Sequence, residues 1–115
     1  MLPAVSDTAF DARLARLIAN LDEITTLLRD HGETHWLPWA TRCRNELETY
    51  DSAAFDHVLG AFGGMGSLND LLILTANGHV VRPGQEHSVN DRLSHLRHVI
   101  WDDATDLRHE LRESS

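Results

Sequence analysis

Apolar residues recur at Phe10, Leu14, Leu17, Ile18, Leu21, Ile24 and Leu28. At 100° per residue they fall within about 120° of one another on a helical wheel. This spacing predicts one long amphipathic helix over about 8–31. Ser6, Asp7 and Thr8 are all suited to cap its start, and Gly32 follows His31 as a natural stop. A helix of that length has an apolar face that other elements must cover, and this constrains the fold more than any other feature of the chain.

The rest of the chain supplies the cover. Pro38 is tolerated only in a first turn, so it marks the start of a second helix over about 35–50. Its stripe is Trp36, Ala40, Cys43, Leu47 and Tyr50, with Arg42, Arg44, Glu46 and Glu48 off it. Asp51 and Ser52 form a capping pair for a third helix, whose apolar face is Ala54, Phe55, Val58, Leu59 and Phe62. A last helix is expected after Ser88 as cap, with Asp91 at its third position. Val89, Leu93, Leu96, Ile100, Ala104, Leu107 and Leu111 line its buried side.

The segment between the third and last helices has another texture. Ser67 reads as an N-cap with Asp70 three residues on, and 68–74 reads as a short apolar helix or a buried strand. Asn77-Gly78 is a strong hairpin dipeptide, which leaves open a small hairpin pairing 72–74 with 79–82. The expected architecture is all-α or mainly α. It is a single domain over 1–115, a compact bundle of about four helices with a glycine-containing insert.

Composition narrows the function classes. Eighteen acidic residues stand against ten basic ones, all Arg, for a net charge of −8. Such a surface disfavours phosphate backbones and anionic membranes and favours a basic protein partner. The plainer reading is that the charge keeps a small domain in solution. The lone cysteine excludes an intrachain disulfide, residues 1–7 lack the features of a secretion signal, and the expected location is the cytoplasm.

No arrangement singles out a catalytic centre, so no enzyme activity, cofactor or metal is expected. His95, His98, Asp102, Asp106 and His109 share one face of the last helix, but it points away from the apolar stripe, as a solvated polar face does. Cys43 sits on a buried stripe and reads as a small core hydrophobe, and His31 and His35 as helix-end residues.

Gly63, Gly64 and Gly66, with Met65, Ser67, Asn69 and Asp70, are the most specific local feature. Three glycines in four residues are costly unless the backbone needs φ > 0 or close approach. The structural reading is a tight corner with Met65 plugging the core. The functional reading is a loop presenting Met65, Asn69 and Asp70 to a partner. Without a Lys or a preceding strand it does not read as a phosphate loop.

The run Phe62-Gly63-Gly64-Met65-Gly66-Ser67-Leu68-Asn69-Asp70-Leu71, continuing to Asn77-Gly78-His79, resembles a family of small bacterial proteins of uncharacterised function. That resemblance implies a compact domain around the glycine corner, and no activity. Size, acidity and helical simplicity also resemble antitoxin and immunity proteins, in type and not in motif.

The leading expectation is therefore an immunity protein that neutralises a cognate toxin by contact. Its partner-binding candidates are the carboxylates Glu46, Glu48, Asp51, Asp56, Asp102, Asp103 and Asp106, with Trp39 and Trp101 as anchors. The alternatives are a homodimeric structural or regulatory protein, for which Leu27 off the main stripe is the hint, and a small-ligand protein using the glycine corner and His79.

Overall fold

A computed structural model describes residues 8–49, 51–63 and 66–113. Four α-helices account for most of them: α1 (Thr8–Asp30), α2 (Leu37–Glu48), α3 (Ala54–Leu59) and α4 (Glu86–Glu113). Two short 3-10 turns, Leu68–Asp70 and Thr75–Asn77, lie between α3 and α4.

The helices close a ring. α1 lies against α2 and α4, and α3 lies against the same two, while among the described residues the diagonal pairs do not meet. α1 and α4 run in opposite directions, as their ion pairs show: Arg13 with Glu110, Arg16 with Asp103, and Glu23 with Arg92. At about 1.5 Å per residue the 28 residues of α4 span about 42 Å, which sets the long dimension of the 49 × 25 × 20 Å molecule.

The seam between the long helices has a definite period. Along α4, Val89, Leu93, Leu96, Ile100, Ala104, Leu107 and Leu111 are spaced four, three and four, then repeat eleven residues on. Along α1, Phe10, Leu14 and Leu17 recur eleven residues later as Leu21, Thr25 and Leu28. Eleven residues in three turns is about 3.67 per turn, close to a free helix, so the two need little supercoiling to keep their stripes in register.

The ring encloses one core. Leu17, Leu21, Ile24, Leu28, Leu47, Phe55, Leu68, Ile73, Leu93, Leu96, Ile100 and Leu107 are all fully buried. Cys43 belongs to it too, and burial pushes its thiol up to about 12, with Glu46 adding to the shift and Arg42 opposing it. The expected role of Cys43 as a core hydrophobe fits this environment. Tyr50, assigned to the α2 stripe, and Ser6 and Asp7, assigned as caps, lie outside the described residues.

The termini of α1 and α2 follow the local signals. Gly32 adopts φ 70° just past α1, and Glu33 N–H returns to the Leu28 carbonyl at 2.9 Å. Pro38 sits in the first turn of α2, and the Glu33 carboxylate accepts the Trp36 N–H at 2.7 Å at that helix's start. Asp51 accepts the Ala53 N–H at 3.0 Å ahead of α3.

Three expectations change in the insert. The short helix over 68–74 is a single 3-10 turn followed by extended chain. Ser67 does cap it, accepting from Asn69 N–H, while Asp70 reaches one residue further back, to the Gly66 N–H at 2.7 Å. No hairpin forms with 79–82. Asn77-Gly78 turns with Gly78 at φ 85°, but the turn closes as 3-10 and the strand-like backbone is satisfied by side chains. Finally, α4 begins at Glu86, two residues before Ser88, whose hydroxyl donates back to the Gln85 carbonyl.

Those side chains come mainly from one line along α4. Asn90 pairs with both polar backbone groups of Ile73, Glu86 accepts the Thr75 N–H, and Arg97 donates to the carbonyls of Leu68 and Leu71. The extended stretch is thereby strapped against the bundle with the backbone groups of Ile73 and Leu74 paired, as burial demands.

Candidate functional site

The strap brings the glycine corner against α4. Arg97 is half-buried, and its Nη1 binds the Leu71 carbonyl at 2.8 Å and that of Leu68 at 3.0 Å. Burial draws Arg97 below the usual guanidinium range, and Asp70 works in the opposite direction. Gly63 (φ 100°) and Gly66 (φ 75°) take the left-handed conformations the corner needs, and a Cβ at either would meet nothing within 4 Å. The corner is thus built for backbone direction and not for close approach. Gly64 and Met65, with its expected role as a plug, lie outside the described residues.

Beside this corner is a cleft of about 430 Å³ lined by Phe62, Asn69, Ser94, Arg97, His98 and Trp101. It unites two features chosen separately from the sequence: Asn69 of the glycine motif and the anchor candidate Trp101. Trp101 is 45% exposed, one of three large apolar side chains to be so exposed among the described residues. A tryptophan this open forgoes much of the burial it could have in a core.

Trp101 borders the outward face of α4. Ser88, Asp91, His95, His98, Asp102, Asp106, His109 and Glu113 fall on one line there, with no arginine among them. Three of the histidines pair with a carboxylate four residues on: His87 with Asp91 at 3.2 Å, His98 with Asp102 at 3.2 Å, and His109 with Glu113 at 3.7 Å. These pairs recur every eleven residues, an internal repeat not among the expectations from sequence. It is legible once 87–97, 98–108 and 109–113 are written beneath one another. Among the described residues no three His, Cys, Asp or Glu side chains converge to hold a metal ion.

The other carboxylate candidates are already committed within the fold. Asp103, expected on an exposed face, is only 5% exposed. It accepts Arg16 Nε at 2.8 Å and Nη2 at 2.7 Å, with Arg13 at 3.9 Å. Its place at the edge of the buried stripe makes it a bridge between α4 and α1. Glu46 is half-buried and bound to His57 and Arg42. Glu48 pairs with Arg44 at 3.1 Å, Asp56 pairs with Arg108 at 3.1 Å, and Asp51 caps the approach to α3. Trp39 is half-buried, and its Nε1 donates to the His57 carbonyl at 3.0 Å, which ties α2 to α3 instead of leaving an anchor free. Leu27 is likewise half-buried against the core.

His79, expected near the glycine corner, lies instead at the far end of the insert against the α1–α2 turn. It is buried and accepts the Leu74 N–H on Nδ1 at 3.1 Å, which places its ring proton on Nε2, 3.6 Å from Glu33 Oε1. Next to it the Val80 N–H donates to the His31 carbonyl at 2.9 Å.

A family model described as a domain of unknown function (DUF6966) matches residues 29–82, slightly less than half of the chain. The chain is similar to that family across α2, α3, the glycine corner and the strap. The two ends of the matched stretch are tied to each other by the His31–Val80 and Glu33–His79 contacts. Of the cleft residues, Phe62 and Asn69 lie inside it and those of α4 outside. No curated protein and no solved structure matches the chain. No helix among the described residues is long and apolar enough to cross a membrane.

Proposed function

We propose that this chain acts by binding and not by catalysis, as an immunity-type protein of the bacterial cytoplasm that silences a basic toxin by covering its working surface. The observation that supports this reading most is Trp101, 45% exposed beside a polar cleft, at the edge of an α4 face whose central line carries Asp91, Asp102, Asp106 and Glu113 and no arginine. Exposed tryptophans are favoured as interface anchors, and an acidic face steers a basic partner to them.

Arg97 and Asn69 give the cleft donors of its own, suited to carbonyl groups of a partner loop seated beside Trp101. The working set is then Trp101, Asn69, Asp102 and Asp106, with the glycine corner as the cleft's rim. Asp103, Glu46 and Trp39 act on the fold beneath.

The test is capture of partners from the native host with the tagged protein at low and high salt, followed by Trp101→Ala and the double reversal Asp102→Arg/Asp106→Arg. The expected result is a basic protein held at low salt, with affinity reduced by about ten-fold or more in either variant. Capture unaffected by both variants, or recovery of the protein alone, would overturn the reading.

A further inference from the structure

A second recess lies between α2 and α3, apart from the cleft. It measures about 420 Å³, within the range of small-ligand sites. α2 and the residue before it contribute Trp36, Pro38, Trp39, Arg42 and Cys43; α3 and the residues after it contribute Asp56, His57, Gly60 and Ala61. Trp36 and Trp39 are both half-buried and stand edge to face, ring centres 6.0 Å apart at 89°.

One carboxylate organises the polar rim. Glu46 takes Arg42 Nε at 3.0 Å on Oε1 and His57 Nδ1 at 2.7 Å on Oε2. With Nε on Glu46 and Nη2 reaching His57 Nε2 at 3.5 Å, Arg42 keeps Nη1 and the second Nη2 hydrogen for other contacts. Asp56, the other carboxylate of the groove, is met from α4 by Arg108 at 3.1 Å and Arg112 at 3.9 Å. Asp56 is thus screened by arginines, and Arg42 faces the groove beside it.

We propose that this groove binds a small aromatic carboxylate, its ring against Trp36 and Trp39 and its carboxylate on the terminal amino groups of Arg42. Glu46 is the positioning residue, because it holds the guanidinium at the rim. Flat indole walls favour an aromatic ring over a branched chain. A guanidinium with unspent donors favours a carboxylate, which it can bind through two parallel hydrogen bonds. A cationic ligand would meet Arg42 first. The inference stands apart from the proposed toxin-binding face and uses none of its residues.

Titration of the intact ¹⁵N-labelled protein with phenylacetate, followed through indole and guanidinium N–H resonances, tests it. The signals of Trp36, Trp39 and Arg42 should move saturably and that of Trp101 least. The neutral analogue phenylacetamide should bind about ten-fold more weakly. Arg42→Gln, on a largely exposed side chain, should reduce phenylacetate to the affinity of the amide, and Glu46→Gln should weaken it part of the way. Equal binding of acid and amide, shifts led by Trp101, or no saturable shift at about 10 mM phenylacetate would overturn the proposal.

Discussion

Asn90 holds Ile73 as a neighbouring strand would: its Oδ1 accepts the Ile73 N–H at 2.7 Å, and its Nδ2 donates to the Ile73 carbonyl at 2.9 Å. The same Nδ2 also reaches the Glu86 carbonyl one helical turn back, at 2.8 Å. One side chain on a helix therefore does the work of a missing sheet.

Removing it should release the strap. Asn90→Ala leaves two polar groups of a fully buried residue without partners, and should cost about 2–3 kcal/mol of stability. Hydrogen exchange should show the Ile73 amide losing protection before the amides of α1. Uniform loss of protection along the chain would contradict the local role given to Asn90.

The Arg16–Asp103 pair predicts an asymmetry. Asp103 is buried and Arg16 largely exposed, so losing the arginine strands a charge in the core edge, whereas losing the aspartate frees a side chain that water can accommodate. Arg16→Met should therefore lower the melting temperature more than Asp103→Leu. Thermal unfolding of both variants at one pH decides this, and the opposite order would mean that Arg13 compensates for Arg16.

Cys43 predicts both a reactivity and a pH dependence. With its thiol raised from 9.0 to about 12, it should resist a disulfide reagent at pH 8 in the native protein and react at once in denaturant. A raised thiol pKa means that the folded state binds its proton more tightly than the unfolded state. The associated stability is complete below about pH 9 and is lost as the pH rises from there to about 12. Cys43→Ala should flatten this alkaline decline while costing about 1 kcal/mol at neutral pH from the lost sulfur contacts. Denaturant titrations of both proteins between pH 7 and 11 would show it.

At the glycine corner the cost of a side chain should be conformational only. Gly63→Ala and Gly66→Ala each place a Cβ in open space but at φ 100° and 75°, so each should cost about 1–2 kcal/mol. Gly60, whose φ is helical, is the control: there an added Cβ meets the Asp56 carbonyl oxygen at 3.1 Å, and the penalty is steric. Chemical denaturation of the three variants would measure these costs.

The long helices are legible because burial on one face writes a period into the sequence, and Phe10–Leu28 and Val89–Leu111 carry it over many turns. The insert is less so. Asn77-Gly78 does specify a turn, but whether a turn becomes a hairpin depends on what takes the flanking backbone groups. Here the takers are Asn90 and Glu86, seventeen and eleven residues from their partners. Asp103 misleads for a related reason. A charge beside an apolar stripe reads as exposed until Arg16, 87 residues away, arrives to pair with it. Of the candidate site, Trp101 and Asn69 are visible separately, but their meeting in one cleft depends on Arg97 gripping Leu68 and Leu71. In the Glu46–His57–Arg42 cluster the i,i+4 spacing of Arg42 and Glu46 is local, but His57 joins them from another helix, eleven residues beyond Glu46.

The eleven-residue period acts on both sides of α4. Inward, it keeps the leucines aligned with α1. Outward, it sets the same histidine–carboxylate motif at steps of about 16 Å along a nearly straight rod. Taken alone, such a face is a ruler with identical marks, on which a partner could seat itself at any of three registers. Trp101 occurs beside the middle mark only; its equivalents are Asn90, turned inward to Ile73, and Arg112. On a repetitive surface, one irregular residue supplies the address.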